Sequence, residues 1–132
     1  MTKKRPLTIV DNGFLITETD DSPKHIAGLQ TYQKPKRAAK NFVKKLMADW
    51  AKVDTVYAPY NLILNASNPL SPYWEECPNF KVEEHLFFLE LKGGSQDELN
   101  ALVSDLHEAR LDLSKPLWRC FIIDGLADDR FA

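Results

Sequence analysis

The residues best suited to acid–base or metal chemistry are three histidines, His25, His85 and His107, and two cysteines, Cys77 and Cys120. No histidine has a second histidine or a cysteine at metal-ligand spacing, and the cysteines form no CxxC pair. GxSxG, Walker and GxGxxG motifs do not occur in the sequence. We therefore interpret the histidines as structural, and we assign no catalytic residue, metal site or cofactor to these 132 residues.

A cluster of positive charge is the second chemical signal. Six basic side chains and no acidic one lie between residues 34 and 45: Lys34, Lys36, Arg37, Lys40, Lys44 and Lys45. Such a cluster can bind phosphate or anionic lipid surfaces, or it can be the solvated face of a helix. The net charge of the whole chain is -2 and no nucleic-acid-binding motif occurs, which argues against nucleic acid as a partner.

The composition is that of an ordinary globular protein, with 44% hydrophobic and 27% charged residues. Two cysteines are too few for a disulfide-dense secreted scaffold. No stretch approaches the roughly 18 consecutive apolar residues of a membrane span, and the apolar run at residues 7–10 is too short for a signal-peptide core. These features predict a cytoplasmic protein with reduced thiols.

Two segments have the periodicity of amphipathic helices. In residues 36–52, apolar side chains recur at spacings of three and four, and basic side chains occupy the remaining positions. Met47 and Trp50 fall in the apolar stripe, which predicts that both pack in the core. A second helix is predicted after Ser95. The spacing of Ser95 and Glu98 predicts a capping box, in which the side chain of each residue bonds the backbone amide of the other.

The remaining segments predict strands and turns. Strands are predicted at residues 25–33, 80–91 and 117–126, and the imperfect alternation of the second suits burial on both faces. The Asp-Asn-Gly sequence at residues 11–13 predicts a turn, and prolines divide residues 53–76 into loops with one or two short strands.

The last six residues, 127–132, predict the start of a hairpin. Residues 127–129 predict a turn, and a returning strand begins at Arg130. A three-residue strand pairs poorly, so we expect the chain to be truncated at Ala132 and residues 1–132 to be part of a larger domain. The predicted fold class is therefore α/β, with a mixed sheet, packed helices and a truncated C-terminus.

A series of short motifs resembles the bacterial wax ester synthase/diacylglycerol acyltransferase family. Residues 11–15 (DNGFL) are similar to its opening motif, and residues 23–30 (PKHIAGLQ) are similar to the strand that follows. Residues 80–86 resemble a strand in which His85 matches the family histidine. Residues 102–116 resemble the next helix and a Leu-Asp segment. The most specific matches are Pro116-Leu117-Trp118, residues 123–126 and residues 130–132. Gly93-Gly94 and Arg119 depart from the family's usual Pro-Gly and acidic residue.

This resemblance implies the first half of a chloramphenicol-acetyltransferase-like fold and an O-acyltransferase activity. The family transfers a fatty acyl group from acyl-CoA to a long-chain alcohol or a diacylglycerol, which are the implied partners, in wax ester and triacylglycerol synthesis. Its general base is the second histidine of an HHxxxDG motif, which we expect just after Ala132. These residues alone are therefore expected to be inactive. Pro116, Leu117 and Trp118 are implied to be structural: Pro116 fixes the entry to a strand that begins at Leu117, beside the histidine-bearing strand.

Two alternative families of function fit the same residues. Another HHxxxDG enzyme, such as a peptide-synthetase condensation domain, also has an Asp-Leu-Ser-x-Pro-Leu-like segment. A non-catalytic lipid-binding half-domain would explain the missing motif. In the acyltransferase reading, the basic segment at residues 36–52 suits peripheral association with an anionic membrane or lipid droplet, since the substrates are insoluble in water.

Overall fold

The computed structural model describes residues 4–132, which form two compact units. Unit 1 consists of Thr55–Phe80, Ala109–Trp118 and the described part of Met1–Ile26. Unit 2 consists of Ala27–Asp54, Lys81–Glu108 and Arg119–Ala132. None of the helices within residues 4–132 has the length and apolar character needed to cross a membrane.

The described residues form short strands and helices. In chain order they are β1 (Arg5–Pro6), α1 (Ile9–Thr17), β2 (Tyr32–Gln33), α2 (Phe42–Trp50), β3 (Leu62–Asn65), β4 (Tyr73–Glu76), a 3₁₀ helix (Val82–His85), β5 (Leu86–Glu90), α3 (Gln96–Glu108), β6 (Cys120–Asp124) and β7 (Arg130–Phe131).

Strand pairing is antiparallel in unit 1 and mixed in unit 2. In unit 1, β4 lies between β1 and β3. In unit 2, β5 and β6 are parallel, with Leu86 opposite Cys120, and α3 lies between them in sequence. Strand β7 pairs antiparallel with β2. Ile123 and Ala132 also exchange two backbone hydrogen bonds of 2.7 and 2.9 Å, which confirms the predicted return of the chain after β6.

The core of unit 2 lies on both faces of the β5–β6 pair. Adjacent residues of a strand point to opposite faces, so Ile123 packs with Leu99 of α3, whereas Ile122 packs with Val43 of α2. In β5, Leu89 packs on the α3 side and Phe88 on the α2 side, which confirms the two-sided burial predicted within residues 80–91. Phe131 of β7 belongs to the α2 side.

The turn predicted at residues 11–13 is wrong, because these residues lie inside α1. Thr8 and Asp11 form a complete capping box: the Thr8 hydroxyl accepts from the Asp11 N–H at 3.1 Å, and an Asp11 carboxylate oxygen accepts from the Thr8 N–H at 2.9 Å. A capped helix start satisfies the first free amides, and this outweighs the turn tendency of Asn-Gly.

Two predicted strands are also shorter than expected. Only Tyr32–Gln33 of residues 25–33 is a strand, because only these two residues find a partner, in β7. Within residues 80–91 the strand is Leu86–Glu90, and the preceding Val82–His85 is a 3₁₀ helix. His85 is therefore buried in a helical turn rather than in a strand.

The basic helix predicted for residues 36–52 extends only over Phe42–Trp50. Arg37 has a φ of 63°, outside the helical region, so the chain turns before α2 begins. Val43 is fully buried, as the periodicity predicts, but Trp50 is 44% exposed and is not a core residue. Only the two lysines Lys44 and Lys45 of the basic cluster lie on the helix itself.

The helix predicted after Ser95 is confirmed, but the predicted capping box is half wrong. The Ser95 hydroxyl accepts from the Glu98 N–H at 3.1 Å. The Glu98 carboxylate does not bond the Ser95 amide. It accepts instead from the amides of Lys92, Gly93 and Gly94, at 2.8 to 2.9 Å. Glu98 thereby holds the loop between β5 and α3.

Candidate functional site

Pro116, Leu117 and Trp118 lie in an irregular segment of unit 1, so the strand predicted to begin at Leu117 does not begin there. Pro116 has no N–H to donate to a sheet, and its carbonyl accepts from the Trp118 N–H at 2.9 Å, so the segment bends. Strand β6 therefore begins only at Cys120. This corrects the prediction of a strand over residues 117–126.

Trp118 is fixed by an aromatic cluster and one hydrogen bond. Its indole N–H donates to the carbonyl oxygen of Tyr60 at 2.7 Å. Its ring centroid lies 6.1 Å from that of Tyr60, edge-on, and 6.3 Å from that of Phe80. Such contacts fix both ends of an amphipathic ring, so Trp118 is a packing and orienting residue of unit 1.

In unit 2, the carboxyl ends of β5 and β6 are joined by very close backbone contacts. The Leu91 N–H donates to Asp124 O and the Ala127 N–H donates to Gly94 O, both at 2.9 Å. A Cβ at Gly125, whose φ is 88°, would lie 2.6 Å from Leu91 O. Only glycine fits there without strain, and the same holds for Gly94, with a φ of 71°.

The carboxyl end of β6 also carries a largely buried ion pair. Lys34 Nζ lies 2.6 Å from an Asp124 carboxylate oxygen, and the two side chains are 17% and 10% exposed. The same oxygen accepts from the Gly125 N–H at 2.7 Å. The Lys34 N–H donates to Asp129 O at 2.8 Å. Lys34 therefore binds both the end of β6, through its side chain, and the turn that follows, through its backbone amide.

The titratable residues singled out in the sequence have no constellation suited to metal binding. Within residues 4–132, no group of three or more His, Cys, Asp or Glu side chains is placed to hold a metal ion. Burial raises the pKa of the Cys120 thiol, which disfavours the reactive thiolate. His107 lines an open groove of about 350 Å³ in unit 2. Leu29 and Val103 contribute apolar side chains to it, and Asn100 and Ser104 contribute polar ones.

The basic cluster is divided in the structure. Lys34 is engaged with Asp124, and the ammonium group of Lys44 lies 5.1 Å from the centre of the Phe88 ring. The other five members of the cluster are all exposed: Lys36, Arg37, Lys40, Lys44 and Lys45. The cation–π contact orients Lys44 without burying it. The positive surface available to a partner therefore lacks Lys34 but keeps the rest of the cluster.

The fold and these motifs are those of a known enzyme family. The wax ester synthase/diacylglycerol acyltransferase catalytic domain matches residues 7–132. The chain belongs to this family, and the resemblance seen in the sequence is confirmed.

Individual relatives agree with this assignment. The chain is similar to a wax ester synthase/diacylglycerol acyltransferase of solved structure from Marinobacter aquaeolei VT8, with a TM-score of 0.90 and 32% identity, over 96% of this chain and 31% of the other. It is 34% identical over 130 residues to the O-acyltransferase WSD of Acinetobacter baylyi. It is 30% identical over 131 residues to the probable diacyglycerol O-acyltransferase tgs1 of Mycobacterium tuberculosis.

The matches cover most of this chain but only part of each relative. They include 97% of this chain and 27% of the Acinetobacter protein, and 96% of this chain and 27% of the Mycobacterium protein. The mixed α/β structure corresponds to the N-terminal portion of the solved enzyme. The chain thus spans about a quarter to a third of the length of these relatives.

Sequence reasoning missed the residues that organise the end of β6. Lys34 appeared as one member of a basic cluster, and Asp124 as part of a strand motif. The two are 90 positions apart, and no local spacing links them. A lone acidic residue at the end of an otherwise apolar strand was the available signal, because a buried carboxylate requires a partner.

Proposed function

We propose that the chain is the N-terminal part of an acyl-CoA-dependent O-acyltransferase that makes wax esters or triacylglycerols. The similarity to the Marinobacter enzyme carries this proposal, since 96% of the chain superposes with a TM-score of 0.90 at 32% identity. The acceptor is a long-chain alcohol or a diacylglycerol, and the donor is a fatty acyl-CoA. The complete fold is chloramphenicol-acetyltransferase-like, and residues 1–132 form part of one such domain.

The reaction requires a base that these 132 residues do not supply. In the proposal, an HHxxxDG motif follows Ala132 and its second histidine takes the proton of the acceptor hydroxyl. The hydroxyl oxygen then attacks the thioester carbonyl carbon, the carbon–sulfur bond breaks, and the leaving thiolate takes a proton. A neutral alcohol is a weak nucleophile, so this base is essential.

The described residues contribute scaffolding to this enzyme. Strands β5 and β6 form a two-sided core, and the β6–β7 hairpin carries the chain to Ala132. Pro116, Leu117 and Trp118 support the segment that enters β6, through the Trp118–Tyr60 hydrogen bond. We assign these three residues a structural role rather than contact with substrate.

The test of this proposal uses the complete protein encoded by the gene that contains this chain. Palmitoyl-CoA is supplied with either hexadecanol or dioleoylglycerol, and ester formation is followed by mass spectrometry. We expect ester with at least one acceptor, and none after replacement of the second histidine of the motif by alanine. The absence of ester with both acceptors, or the absence of an HHxxxDG sequence after codon 132, would contradict the proposal.

We further propose that the protein works in the cytoplasm and binds peripherally to anionic membranes or lipid droplets through its exposed basic residues. Five exposed basic residues lie within twelve positions of sequence free of acidic residues: Lys36, Arg37, Lys40, Lys44 and Lys45. Each basic side chain near an anionic surface contributes roughly 1 kcal/mol of attraction.

Vesicle sedimentation tests this surface. A variant with all five of these residues replaced by glutamine should bind vesicles of phosphatidylglycerol and phosphatidylcholine more weakly than the unmodified protein. A matched control replaces five exposed basic residues outside this segment by glutamine: Lys4, Arg5, Lys81, Lys92 and Lys115. Equal loss of binding in both variants would mean that only the total charge matters, and the assigned surface would be wrong.

A further inference from the structure

We propose that Lys34 is a positioning residue, whose ion pair with Asp124 fixes the β6–β7 hairpin and thereby the direction in which the chain leaves Ala132. The inference rests on the proposed function, in which the catalytic histidines follow Ala132. It assigns a task to two residues that the sequence motifs do not explain.

The hairpin has little support of its own. Strand β7 has only two residues, Arg130–Phe131. The connection contains Gly125 with a φ of 88°, and two aspartates, Asp128 and Asp129, with φ values of 59° and 52°. Residues with a side chain rarely adopt this left-handed conformation and persist in it only when their surroundings hold them there.

The support comes from the segment that ends β2. The Gln33 side-chain amide donates to Asp128 O at 2.7 Å, and the Lys34 N–H donates to Asp129 O at 2.8 Å. Both carbonyls belong to the residues in left-handed conformation. The Gln33 side chain and the Lys34 backbone amide therefore hold the turn, and the Lys34 side chain reaches from the same point to Asp124 at the end of β6.

The ion pair makes this attachment specific for one register. The whole Asp124 residue is 7% exposed, so its carboxylate needs a cation nearby. A shift of β7 by one residue would move the Asp129 carbonyl away from the Lys34 amide while Lys34 remained bound to Asp124. In some proteins a buried ion pair contributes to structural specificity rather than to stability. The pair thus selects the register in which Ile123 and Ala132 exchange their two hydrogen bonds.

The register of β7 at Ala132 sets the position of a catalytic base that follows Ala132 closely in the sequence. Displacement of a catalytic group by about 1 Å can lower the rate about a hundredfold without loss of substrate binding. Loss of the ion pair should therefore lower kcat and leave KM nearly unchanged.

The test uses the complete enzyme and four variants. In Lys34→Met, kcat should fall at least tenfold, while KM for palmitoyl-CoA should stay within about twofold. In Lys34→Arg, which keeps the charge, most of kcat should be retained. Lys34→Met leaves the Asp124 charge buried without its partner, so its Tm should fall. The double variant Lys34→Met with Asp124→Leu removes both charges, so the Tm should recover while kcat stays low. Lys52→Met breaks the exposed Lys52–Asp49 pair and should change neither quantity.

The outcomes separate positioning from simple stabilisation. If the double variant regains kcat together with Tm, the pair is only structural and the proposal is wrong. If the unmodified protein forms no ester, the proposed function fails, and hydrogen exchange then tests the positioning separately. In Lys34→Met, the amides of Ile123 and Ala132 should exchange at least tenfold faster, with Leu99 unchanged. Unchanged exchange at Ile123 and Ala132 would overturn the proposal on its own.

Discussion

Helices α1 and α3 are held in their units by opposite kinds of contact. Helix α3 buries Leu99 completely, in a cluster with Leu91, Ile123 and Leu126. Helix α1 has no buried residue, and most of its apolar side chains point outwards: Ile9 is 92% exposed and Ile16 is 81% exposed.

The polar face of α1 makes the contacts within unit 1. Asp11 accepts from the Trp74 indole N–H of β4 at 3.3 Å, and Glu18, the residue directly after the helix, forms an ion pair with Arg110. Such partly exposed polar contacts contribute far less than apolar burial. Of these two helices, only α3 is attached by apolar burial. Substitutions in α1 and in the core around α3 should therefore differ greatly in their effect on the free energy of unfolding.

The largest difference is expected at glycine. Gly125→Val places a β-branched side chain at a φ of 88°, against Leu91 O at 2.6 Å from the Cβ. Left-handed strain and overpacking together should lower the free energy of unfolding by about 4 kcal/mol or more. In α1, Gly13 has nothing within 4 Å of an added Cβ. Gly13→Ala should therefore raise stability by up to about 1 kcal/mol.

Urea unfolding of both glycine variants measures these changes. A Gly125→Val protein with wild-type stability would mean that the β5–β6 junction is looser than the structure shows. A destabilised Gly13→Ala protein would mean that the outer face of α1 has no room for a methyl group.

The next effect concerns the apolar side chains themselves. Leu99→Ala should lower the free energy of unfolding by about 3 kcal/mol, because it removes a fully buried side chain and leaves a cavity. Ile9→Ala serves as the control and should change it by less than about 0.5 kcal/mol. Equal costs at the two positions in the complete protein would show that the outer face of α1 is covered there.

The same contrast explains what the sequence could predict. Periodicity located α3, and the apolar residues within 80–91 indicated two-sided burial, because burial leaves an apolar pattern. Helix α1 was missed because its contacts are mainly polar and its Asp-Asn-Gly favours a turn. The pairing of Lys34 with Asp124 was missed because tertiary contacts 90 positions apart leave no local signal. Trp118 was found by resemblance, but its hydrogen bond to Tyr60 was not.

A smaller effect is expected at the start of α1. Burial raises the pKa of Asp11, but the hydrogen bonds from Thr8 and Trp74 outweigh it and hold the pKa below its ordinary value. A carboxylate with a lowered pKa stabilises the fold at neutral pH, and this stabilisation is lost as the pH falls through that pKa. Asp11→Ala should cost about 1 kcal/mol at pH 7 and much less at pH 2. Trp74→Phe, which removes only the indole hydrogen bond, should cost less than Asp11→Ala. A pH-independent cost for Asp11→Ala would argue against this role.

The smallest effect is local and concerns the start of α3, where Glu98 holds a loop. Hydrogen bonds from the Lys92, Gly93 and Gly94 amides lower the pKa of Glu98, with the Lys92 amide contributing most and desolvation opposing it. NMR titration should therefore give a Glu98 midpoint below the ordinary value of about 4.3, and the Gly93 and Gly94 amide signals should shift with the same midpoint. Ser95→Ala removes the helix cap but none of these three bonds, so the Glu98 midpoint should stay low. An ordinary midpoint in the unmodified protein would mean that the Glu98 carboxylate does not hold the loop between β5 and α3.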